Sequence, residues 1–374
     1  MEILGYERPD GQIGIRNKVS IIFSTDCSRY VAQKLKTLFP EGTQLFGYPG
    51  GCAMVEGAFH KLVALANHSG SAAALVIGLG CEGTDAYSVA EAIAATGRPV
   101  EAIKINEAGG DLRTVEEGSR ILARLLQHAS QSRRVLMLPG DLIVGTECGG
   151  SDATSGLASN PVTGVVGDHL IEAGGTYMIS ELEELLGCSD ILAARATNDE
   201  VAEDVRSAIT AAERRSFESG RFAWGYGNIM GGLTSIEEKS YGALAKSGTK
   251  PLQGILREYG LPPGKGFFLQ VGEPGSGFFH GDPEGINQFA AHGAHLALFT
   301  TGCGSTTGGL IPVVKVIANP NRMQLIRDNA DFDATPIILG ERTVQEMGDA
   351  LYAEVLAVAT GKLTRSEVFG HFEV

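Results

Sequence analysis

Short apolar runs alternate with longer segments of mixed polarity along most of the chain. The apolar runs cover residues 19–24, 73–79, 100–105, 135–138, 141–145, 176–179, 267–271, 296–300 and 313–317. Runs of this length, bounded by turn residues, are typical of buried strands. Helices are predicted between them, at residues 28–38, 55–67, 111–129, 162–173, 199–218 and 235–246. The alternation of strand and helix predicts an α/β fold with mostly parallel sheets.

The length of the chain, 374 residues, favours two domains over one. The polar segment 130–134, Ser-Gln-Ser-Arg-Arg, is the predicted junction. It separates an N-terminal α/β domain, residues 1–131, from a C-terminal domain, residues 134–374. We predict that the second domain is a Rossmann-like variant that carries the catalytic residues. The first is predicted to take part in dimerisation and to contribute to the site.

Charge and hydropathy narrow the class of protein. The net charge is −14, which argues against a nucleic-acid surface or an anionic membrane as partner. No apolar run reaches the ~18 residues of a membrane-spanning helix, and the first residues lack a signal-peptide core. The expected compartment is therefore the cytoplasm, where thiols stay reduced.

The segment 145–161 holds an unusual concentration of polar groups. It contains Cys148, Ser151, Asp152 and Asn160 among several glycines, and it runs from a predicted strand into a predicted helix. In an open α/β sheet, ligands bind in the crevice outside the carboxyl ends of the strands. This loop is the predicted functional site, and a glycine-rich turn with a buried thiol is the structural alternative.

Five of the six cysteines share one kind of position, a glycine- or serine-containing loop just after an apolar segment. They are Cys27, Cys52, Cys81, Cys148 and Cys303. No Cys-x-x-Cys pair is present, which excludes zinc-ribbon and thioredoxin interpretations. Small buried cysteines often serve only in packing. If these strand ends converge, however, three thiolates can bind iron, or an iron–sulfur cluster with one iron open to substrate.

Six blocks of sequence resemble one known family. They are Gly5-Tyr-x-Arg-x-Asp-Gly-x-x-Gly-x-Arg-Asn17, Gly78-Leu-Gly-Cys-Glu82, Cys148-Gly-Gly-Ser-Asp152 with Asn160-Pro161, Gly231-Gly-Leu-Thr-x-x-Glu-Glu-Lys-Ser240, Phe299-Thr-Thr-Gly302 and Gly361-Lys-x-Thr-x-Ser-Glu367. Together they resemble the catalytic large part of the altronate/galactarate dehydratase family, from the first residues to the last.

The resemblance implies a function and partners. Members of the family dehydrate sugar acids to keto-deoxy acids and need ferrous iron under reducing conditions. A related protein, the sulfolactate sulfo-lyase large subunit, eliminates sulfite instead. Full-length members also carry a small N-terminal SAF (β-clip) domain, which this chain does not show, so a separate small SAF-domain subunit is expected.

Three positions depart from the family pattern. Tyr48-Pro-Gly-Gly-Cys52-Ala53 stands where altronate dehydratases have His-Gly-Thr-Gly-Cys-Gly. Thr300-Thr-Gly-Cys303-Gly stands where they have Thr-Thr-Gly-Arg-Gly, so an arginine suited to clamp a carboxylate is replaced by a thiol. Gly83-Thr84 replaces the usual Asn-Gln after Gly-Cys-Glu. The fold and metal chemistry are expected to carry over, whereas the substrate is not.

Elimination of water β to a carboxylate needs a base for the α-proton and a group that neutralises the leaving hydroxyl. A metal bound to substrate oxygens serves as Lewis acid and template. The metal candidates are Cys52, Cys81 and Cys148, followed by Glu82, as ligand or supporting carboxylate, and Cys27. The base candidates are Lys239, Lys246 and His60. A solvated helix surface is the alternative for Lys239, and a structural role is the alternative for His60.

A second set of residues is assigned to the substrate. Arg8 and Arg16, with Asn17 beside them, are candidate anion clamps, with surface salt bridges as the alternative. Ser151, Asp152 and Asn160 are candidates for substrate hydroxyls, and Cys303 is expected to set specificity. His280, His292 and His295 are weaker candidates for metal ligands.

The leading hypothesis is an iron-dependent lyase that dehydrates an aldonate or aldarate to a 2-keto-3-deoxy acid. It predicts a small anionic hydroxy-acid substrate and a homodimer. A sulfo-lyase acting on a sulfolactate-like acid is the alternative within the class, and a non-catalytic homologue is the alternative outside it. A nucleotide-binding oxidoreductase is disfavoured because no Gly-x-Gly-x-x-Gly follows a strand with an acidic residue about 20 positions further on.

Overall fold

The computed structural model describes residues 2–257, 259–271 and 281–372. Two compact units make up this part of the chain, Glu2–Met137 and a second unit that begins at Leu138. Parallel sheets of the kind predicted from the apolar runs are present in both units, so the predicted α/β class is confirmed.

The first unit contains two sheets. Its strands are β1 (Ile3–Glu7), β2 (Ile13–Gly14), β3 (Lys18–Phe23), β4 (Thr43–Gly47), β5 (Ser71–Gly78), β6 (Val100–Lys104) and β7 (Arg134–Met137). Its helices are α1 (Asp26–Leu38), α2 (Glu56–Ala66), α3 (Ala86–Ala94), α4 (Ile105–Ala108) and α5 (Asp111–Ala129). A four-stranded parallel sheet has the order β4-β3-β5-β6, and a three-stranded antiparallel sheet has the order β2-β1-β7.

The parallel sheet of the first unit explains why its apolar runs are continuous. Every residue of β5 is buried, because β5 has a strand on each side and helices against the sheet. Such strands read as unbroken apolar runs. The register pairs Phe23 of β3 with Gly47 of β4 and with Ile77 of β5, so these three strands end at the same level. The loops that follow them therefore lie side by side.

The second unit is built on one seven-stranded parallel sheet. Its strands are β8 (Ile143–Cys148), β9 (Thr176–Ile179), β10 (Leu252–Leu256), β11 (Gly266–Gln270), β12 (Leu296–Thr300), β13 (Val313–Ile317) and β14 (Phe332–Asp333). Its helices are α6 (Asn160–Glu172), α7 (Ser189–Ala193), α8 (Asp199–Ser219), α9 (Tyr226–Met230), α10 (Ile236–Leu244), α11 (Asp282–Ala291), α12 (Pro320–Leu325), α13 (Thr335–Ile338), α14 (Val344–Ala359) and α15 (Arg365–Phe369).

The strand order of this sheet, β10-β11-β9-β8-β12-β13-β14, creates a topological switch point. From β8 the chain first builds outward through β9, and later returns to build outward on the other side through β12. The loops after β8 and β12 thus leave in opposite directions and open a crevice at the carboxyl edge, the place where doubly wound sheets bind ligands. The loop with Cys148 and the loop with Cys303 border this crevice. No helix in the described part of the chain is long and apolar enough to cross a bilayer.

A close backbone contact positions one side of the crevice. Helix α6 contains Gly164, and a methyl group at that position would collide with the carbonyl oxygen of Ala245 and approach the backbone nitrogen of Gly248 to 3.0 Å. Gly164 therefore allows α6 to lie directly on the turn Ala245–Ser247 that carries Lys246.

We expect Gly164→Ala to lower the free energy of unfolding by about 1–3 kcal/mol, because the backbone of the turn must shift to admit the methyl group. Urea denaturation followed by circular dichroism measures the change. Gly264→Ala is the matched control, since a methyl group there meets no atom within 4 Å. An unchanged midpoint for Gly164→Ala would contradict this packing argument.

Candidate active site at the switch point

A cavity of about 250 Å³, with both polar and apolar side chains in its wall, opens beside the loop that follows β8. Its wall includes Ser151, Asp152, Asn160, Lys239, Tyr241 and Gly242. Residues far apart in sequence are thus brought together, since α10 packs on the turn between β8 and α6. Four residues predicted to act on substrate, Ser151, Asp152, Asn160 and Lys239, share this cavity.

Two lysines and two glutamates form a chain of buried charges next to the cavity. Lys239 Nζ lies 2.7 Å from Glu184 Oε1, and Lys246 Nζ lies 3.1 Å from Glu184 Oε2. Lys246 Nζ also lies 3.3 Å from Glu181 Oε2. The side chains of Lys239, Lys246 and Glu184 are almost inaccessible, whereas that of Glu181 is 23% exposed. Glu181 is therefore the most exposed of these four side chains, whereas Lys239 is the one that lines the cavity.

The charges of this group set its protonation states. Burial alone would raise the pKa of Glu184, but Lys246 and Lys239 lower it to about 2. Burial and the charge of Glu184 raise the pKa of Glu181 to about 7. Burial opposes the charged form of both lysines, yet Glu184 and the other acidic neighbours hold the pKa of Lys239 and Lys246 above their usual range. Both lysines are consequently cations at neutral pH, while Glu181 changes its charge there.

A third carboxyl, Glu147 at the end of β8, adjoins Glu181. It is 2% exposed and accepts a hydrogen bond from Ser180 Oγ. Burial raises the pKa of Glu147 well above its usual range, and the neighbouring Glu181 raises it further. Burial and the adjoining Glu181 thus favour the neutral form of Glu147.

The backbone of Glu181 is strained. Its φ of 67° lies in the left-handed region, and it is the one non-glycine residue with positive φ in the described part of the chain. Strain of this kind persists only where the surroundings hold it, and it is common at active sites. Here Glu181 Oε2 accepts a hydrogen bond from the backbone N–H of Cys148 at 3.1 Å. This hydrogen bond joins the segment after β9 to the end of β8 and helps to hold Glu181 in its strained conformation.

Cys148 lies at the centre of this group as a buried thiol. Its Sγ is 2.8 Å from Ser151 Oγ. Burial and the charge of Glu184 raise the pKa of Cys148 well above its usual range, which leaves the thiol protonated. Asp152 on the same loop accepts hydrogen bonds from Ser155 and Thr154, and Asn319 Nδ2 donates to its other oxygen at 2.7 Å. The loop is therefore stabilised by hydrogen bonds within itself and by one from Asn319, in the turn that follows β13.

The spacing of Cys148, Glu181 and Glu184 would allow a metal ion. One ligand atom from each lies within 4.8 Å of the others. The two ammonium groups of Lys239 and Lys246 already neutralise these carboxylates, however, and a divalent cation would have to displace them. The geometry therefore fits a metal-free acid–base group better than a cation site.

The remaining loop of the crevice, after β12, carries Cys303. The backbone N–H of Gly302 donates to the carbonyl oxygen of Gly150 at 2.8 Å, which ties this loop to the one after β8. The Cys303 thiol is partly exposed and lies against Gly150. Cys303 is not among the residues that line the cavity, so its role in specificity stays a prediction.

The first unit groups three of the predicted metal ligands. Cys27, Cys52 and Cys81 follow β3, β4 and β5, whose ends are level, and all three are exposed. Partial desolvation together with the neighbouring Cys52, Glu82 and Cys27 raises the pKa of Cys81. Cys27, Cys52 and Cys81 thus follow adjacent strands of one sheet, but in the described part of the chain their sulfur atoms do not form a group within 4.8 Å, and Cys148 belongs to the second unit.

Glu82 supports these loops with both of its oxygens. Glu82 Oε2 accepts hydrogen bonds from the backbone N–H groups of Gly80 and Cys81, at 2.7 and 3.0 Å, and Oε1 accepts one from Ser24 Oγ at 3.0 Å. This geometry favours the supporting role over direct metal binding.

Two family models together match nearly the whole chain. The model for the C-terminal part of D-galactarate/altronate dehydratase matches residues 140–374, and the model for the second domain of D-galactarate dehydratase/altronate hydrolase matches residues 5–130. The chain belongs to the D-galactarate/altronate dehydratase family. The resemblance stated from the sequence motifs is thereby confirmed.

Curated relatives within this family are lyases by name. The (2R)-sulfolactate sulfo-lyase subunit beta of Chromohalobacter salexigens is 34% identical, with 99% of this chain and 95% of the relative covered. The altronate dehydratase of Bacillus subtilis is 28% identical, with 97% and 75% covered. The galactarate dehydratase (L-threo-forming) of Escherichia coli is 30% identical, with 96% and 72% covered.

The predicted anion clamp lies in the first unit among partners of its own. Arg8 is buried and donates to the carbonyl oxygens of Ser69 at 2.6 Å and Arg16 at 2.9 Å, and to Asn17 Oδ1 at 2.8 Å. Asn17 in turn donates to the carbonyl oxygen of Ala129 at 2.7 Å, and Arg16 donates to that of Ile15 at 3.1 Å. These contacts tie the N-terminal segment to the unit and give Arg8 a structural role.

The predicted histidines also have local partners. His60 is largely exposed on α2, with its Nε2 3.7 Å from Glu56 Oε1. His292 Nδ1 lies 3.0 Å from the carbonyl oxygen of Gly260, and burial lowers the pKa of His292. His295 Nδ1 accepts a hydrogen bond from the backbone N–H of Ile143 at 3.0 Å. His280 lies outside the described residues.

The sequence analysis missed the carboxylates of the active site, namely Glu147, Glu181 and Glu184. A signal was available for two of them. Ser180-Glu-Leu-Glu-Glu184 directly follows the predicted strand at residues 176–179, and so lies at the same carboxyl edge as Cys148. Glu147 was not predicted because it lies inside β8, directly before Cys148, where the sequence pattern indicates a buried strand.

Proposed function

We propose that the chain is an iron-dependent lyase that dehydrates a small sugar acid, an aldonate or aldarate, to a 2-keto-3-deoxy acid. The observation that carries the proposal is a network of buried ion pairs next to the cavity at the switch point of the sheet. It joins Lys239 to Glu184, Glu184 to Lys246, and Lys246 to Glu181. Such a group supplies a base and two fixed cations at one place. Membership of a family whose curated relatives are lyases by name supports it further.

Glu181 is the proposed base. A base of this reaction removes the proton from the carbon next to the carboxylate, and a catalytic pKa near the working pH suits it to do so. Glu181 has that pKa, about 7, and is the most exposed of the four side chains. Lys239 and Lys246, which the sequence suggested as bases, stay protonated because their pKa values are raised. His60 makes no contact that supports such a role.

The two lysines then act as cations. Removal of the α-proton places negative charge on the substrate carboxylate, and preorganised ammonium groups stabilise it. Lys239 lines the cavity, so we assign it the contact with substrate, while Glu184 fixes both ammonium groups. As the C–O bond breaks, the leaving hydroxide takes a proton from Lys239 and departs as water. The resulting enol tautomerises to the 2-keto acid, and Glu181 and Lys239 exchange protons with solvent to restore the site.

Iron is assigned to the three thiols of the first unit. Cys27 in the first turn of α1 and Cys52 and Cys81 in two loops offer soft ligands, the donor type that iron and iron–sulfur clusters use. Three protein ligands would leave a cluster with one open iron. When bound, iron would supply Lewis acidity. Glu82 holds the loop of Cys81 in place for it.

We expect anaerobically purified protein to retain iron and Cys52→Ser to lose most of it. Iron and acid-labile sulfide analysis with an absorption spectrum measures both, and sulfide separates a cluster from a single ion. Cys188→Ser is the matched control, because Cys188 is buried in the second unit away from any predicted ligand set. Cys148→Ser, measured in parallel, tests the alternative group Cys148–Glu181–Glu184. Equal iron in the wild type and Cys52→Ser would overturn the assignment.

A sulfo-lyase that eliminates sulfite from a sulfolactate-like acid is the second candidate. The sulfo-lyase subunit beta favours it, since the match covers 95% of that relative. A screen of altronate, galactarate and (2R)-sulfolactate for 2-keto products or released sulfite decides between the two reactions. A protein that binds iron but converts none of these acids would instead support a non-catalytic homologue.

Partners are proposed on the same basis. We propose a homodimer, and a separate small SAF-domain subunit that completes the enzyme. The sulfo-lyase relative is named as one subunit of its enzyme, and the dehydratase relatives extend beyond the region that this chain matches. The substrate screen is therefore run with and without an added SAF-domain protein, and light scattering reports the oligomeric state.

A further inference from the structure

The buried side-chain amide of Asn160 lies at the cavity, and its oxygen accepts no hydrogen bond from the described residues. Asn160 is 1% exposed, and its Nδ2 donates to the carbonyl oxygen of Gly242 at 2.9 Å. Its Oδ1 has no hydrogen-bond partner among the described residues. The orientation of the amide is fixed, because a flip by 180° would place Oδ1 against the carbonyl oxygen of Gly242, which has no proton to donate. A buried acceptor left unmatched in this way costs about 1–3 kcal/mol, so a partner from the cavity is expected.

The backbone around Asn160 is shaped to present this acceptor. Asn160 follows a single π-helical turn, Ser155–Ser159, and such turns occur frequently at functional sites. Gly156 of that turn faces Gly242 of α10 so closely that a methyl group on Gly156 would lie 2.9 Å from the Gly242 Cα. This approach brings the Gly242 carbonyl to Asn160 Nδ2. With Nδ2 occupied, Oδ1 is the polar atom of Asn160 that remains for a ligand in the cavity.

The other polar groups of the wall decide which ligand fits. Asp152 and Glu238 are carboxylates, and both already accept hydrogen bonds from neighbouring groups. The cation of this wall, Lys239, is shared with Glu184. A sulfonate offers only acceptor oxygens and a negative charge, so a sulfolactate-like acid brings a single hydroxyl as donor to a wall with Asn160 Oδ1 and two carboxylates. A hydroxyl group can donate to Asn160 Oδ1 and accept from Lys239.

We propose that Asn160 Oδ1 accepts a hydrogen bond from a hydroxyl group on the carbon chain of the substrate, and that this contact selects polyhydroxylated acids over sulfonated ones. The inference rests on the proposed function only for the site at which it acts. It names the group that distinguishes the two candidate substrates, and it concerns binding, which is measurable without turnover.

Calorimetric titration of the anaerobic protein tests the proposal with galactarate, altronate, 2-hydroxyadipate and (2R)-sulfolactate. 2-Hydroxyadipate matches galactarate in chain length and charge but lacks three of its hydroxyls. We expect the wild type to bind galactarate or altronate about 10- to 100-fold more tightly than 2-hydroxyadipate, and sulfolactate more weakly still. Asn160→Leu, which keeps the size of the side chain, is expected to bring the affinity for the hydroxylated acid down to that for 2-hydroxyadipate.

Ser159→Ala is the matched control, because Ser159 is equally buried on the same turn but its hydroxyl makes only a long contact, 3.5 Å, with the backbone of Ser155. It should bind as the wild type does. The comparison of ligands on the wild type keeps the test decisive even if Asn160→Leu fails to fold. Equal affinity for galactarate and 2-hydroxyadipate, preferred binding of sulfolactate, or normal binding by folded Asn160→Leu overturns the inference. Selective binding without turnover would support it while rejecting the lyase proposal.

Discussion

Replacing Lys246 by methionine is expected to abolish activity and to lower the free energy of unfolding by about 3–5 kcal/mol. The methionine has nearly the length of the lysine but no charge. Lys246 is 1% exposed and pairs with Glu184 and Glu181. Without its ammonium group, buried carboxylates lose a counter-charge that no solvent can replace, and breaking a buried pair from one side carries a large cost.

The pH dependence of stability follows from the same pairs. Because the pKa of Glu184 is lowered to about 2, its contribution to stability is present above its ordinary pKa and is lost as the pH falls toward 2. In Lys246→Met this acid-side loss should shrink, since part of the lowering disappears. Urea denaturation between pH 3 and about 7 measures it.

Lys250→Met is the matched control for Lys246→Met. Lys250 also pairs with a glutamate, Glu172, but that pair is at the surface, with side chains 26% and 59% exposed. Surface pairs contribute little because water screens them. We therefore expect unchanged activity and little change in stability. A loss for Lys250→Met as large as that for Lys246→Met would show that the chemistry of the buried group is not the cause.

The fold was predictable because the parallel sheets are buried on both faces. Strands such as β5 and β12 are inaccessible along their whole length, and the sequence must then supply an uninterrupted apolar run. The carboxyl ends of such strands are predictable as well, and the loops with Cys148 and Cys81 were found in this way. A run of apolar residues does not predict the order of the strands in a sheet. It therefore does not predict which loops become neighbours.

The grouping of thiols illustrates this limit. Cys52, Cys81 and Cys148 each lie at or after the end of an apolar run, and no feature of the sequence separates them. The structure places the first two with Cys27, because β4, β3 and β5 are adjacent in one sheet. Cys148 instead ends β8, the central strand of the other sheet, where its neighbours are carboxylates and lysines.

The identity of the base was beyond the sequence for an electrostatic reason. Lys239 and Lys246 were plausible bases only if they lost their charge in a dry pocket. Their protonation instead depends on Glu181 and Glu184, which lie more than fifty residues earlier in the chain. The pKa of a buried group reflects its opposite charges as much as its burial. The same contacts that keep the lysines charged leave Glu181 poised near neutrality.

The most specific test of the proposed mechanism is Glu181→Gln. Glutamine keeps the oxygen that accepts from the N–H of Cys148 but cannot take a proton. We expect kcat to fall about 10²- to 10⁴-fold, the usual contribution of a general base. In the wild type, kcat should rise with pH through about 7 and then level, because the base must be ionised. In Glu181→Gln the residual rate should be flat over that range. The acid identified by the substrate screen is the substrate for both.

Stability distinguishes this catalytic role from a structural one. The pKa of Glu181 is raised in the folded protein, so the wild type loses stability as the pH rises from the ordinary glutamate value to about 7. Glu181→Gln lacks that loss and should be at least as stable as the wild type above pH ~7. Glu183→Gln, on the same turn but paired with Arg215 at 3.7 Å, is the matched control and should keep full kcat. A variant at Glu181 that keeps the wild-type pH profile would remove Glu181 as the base, whereas one that loses kcat together with stability would make its role structural.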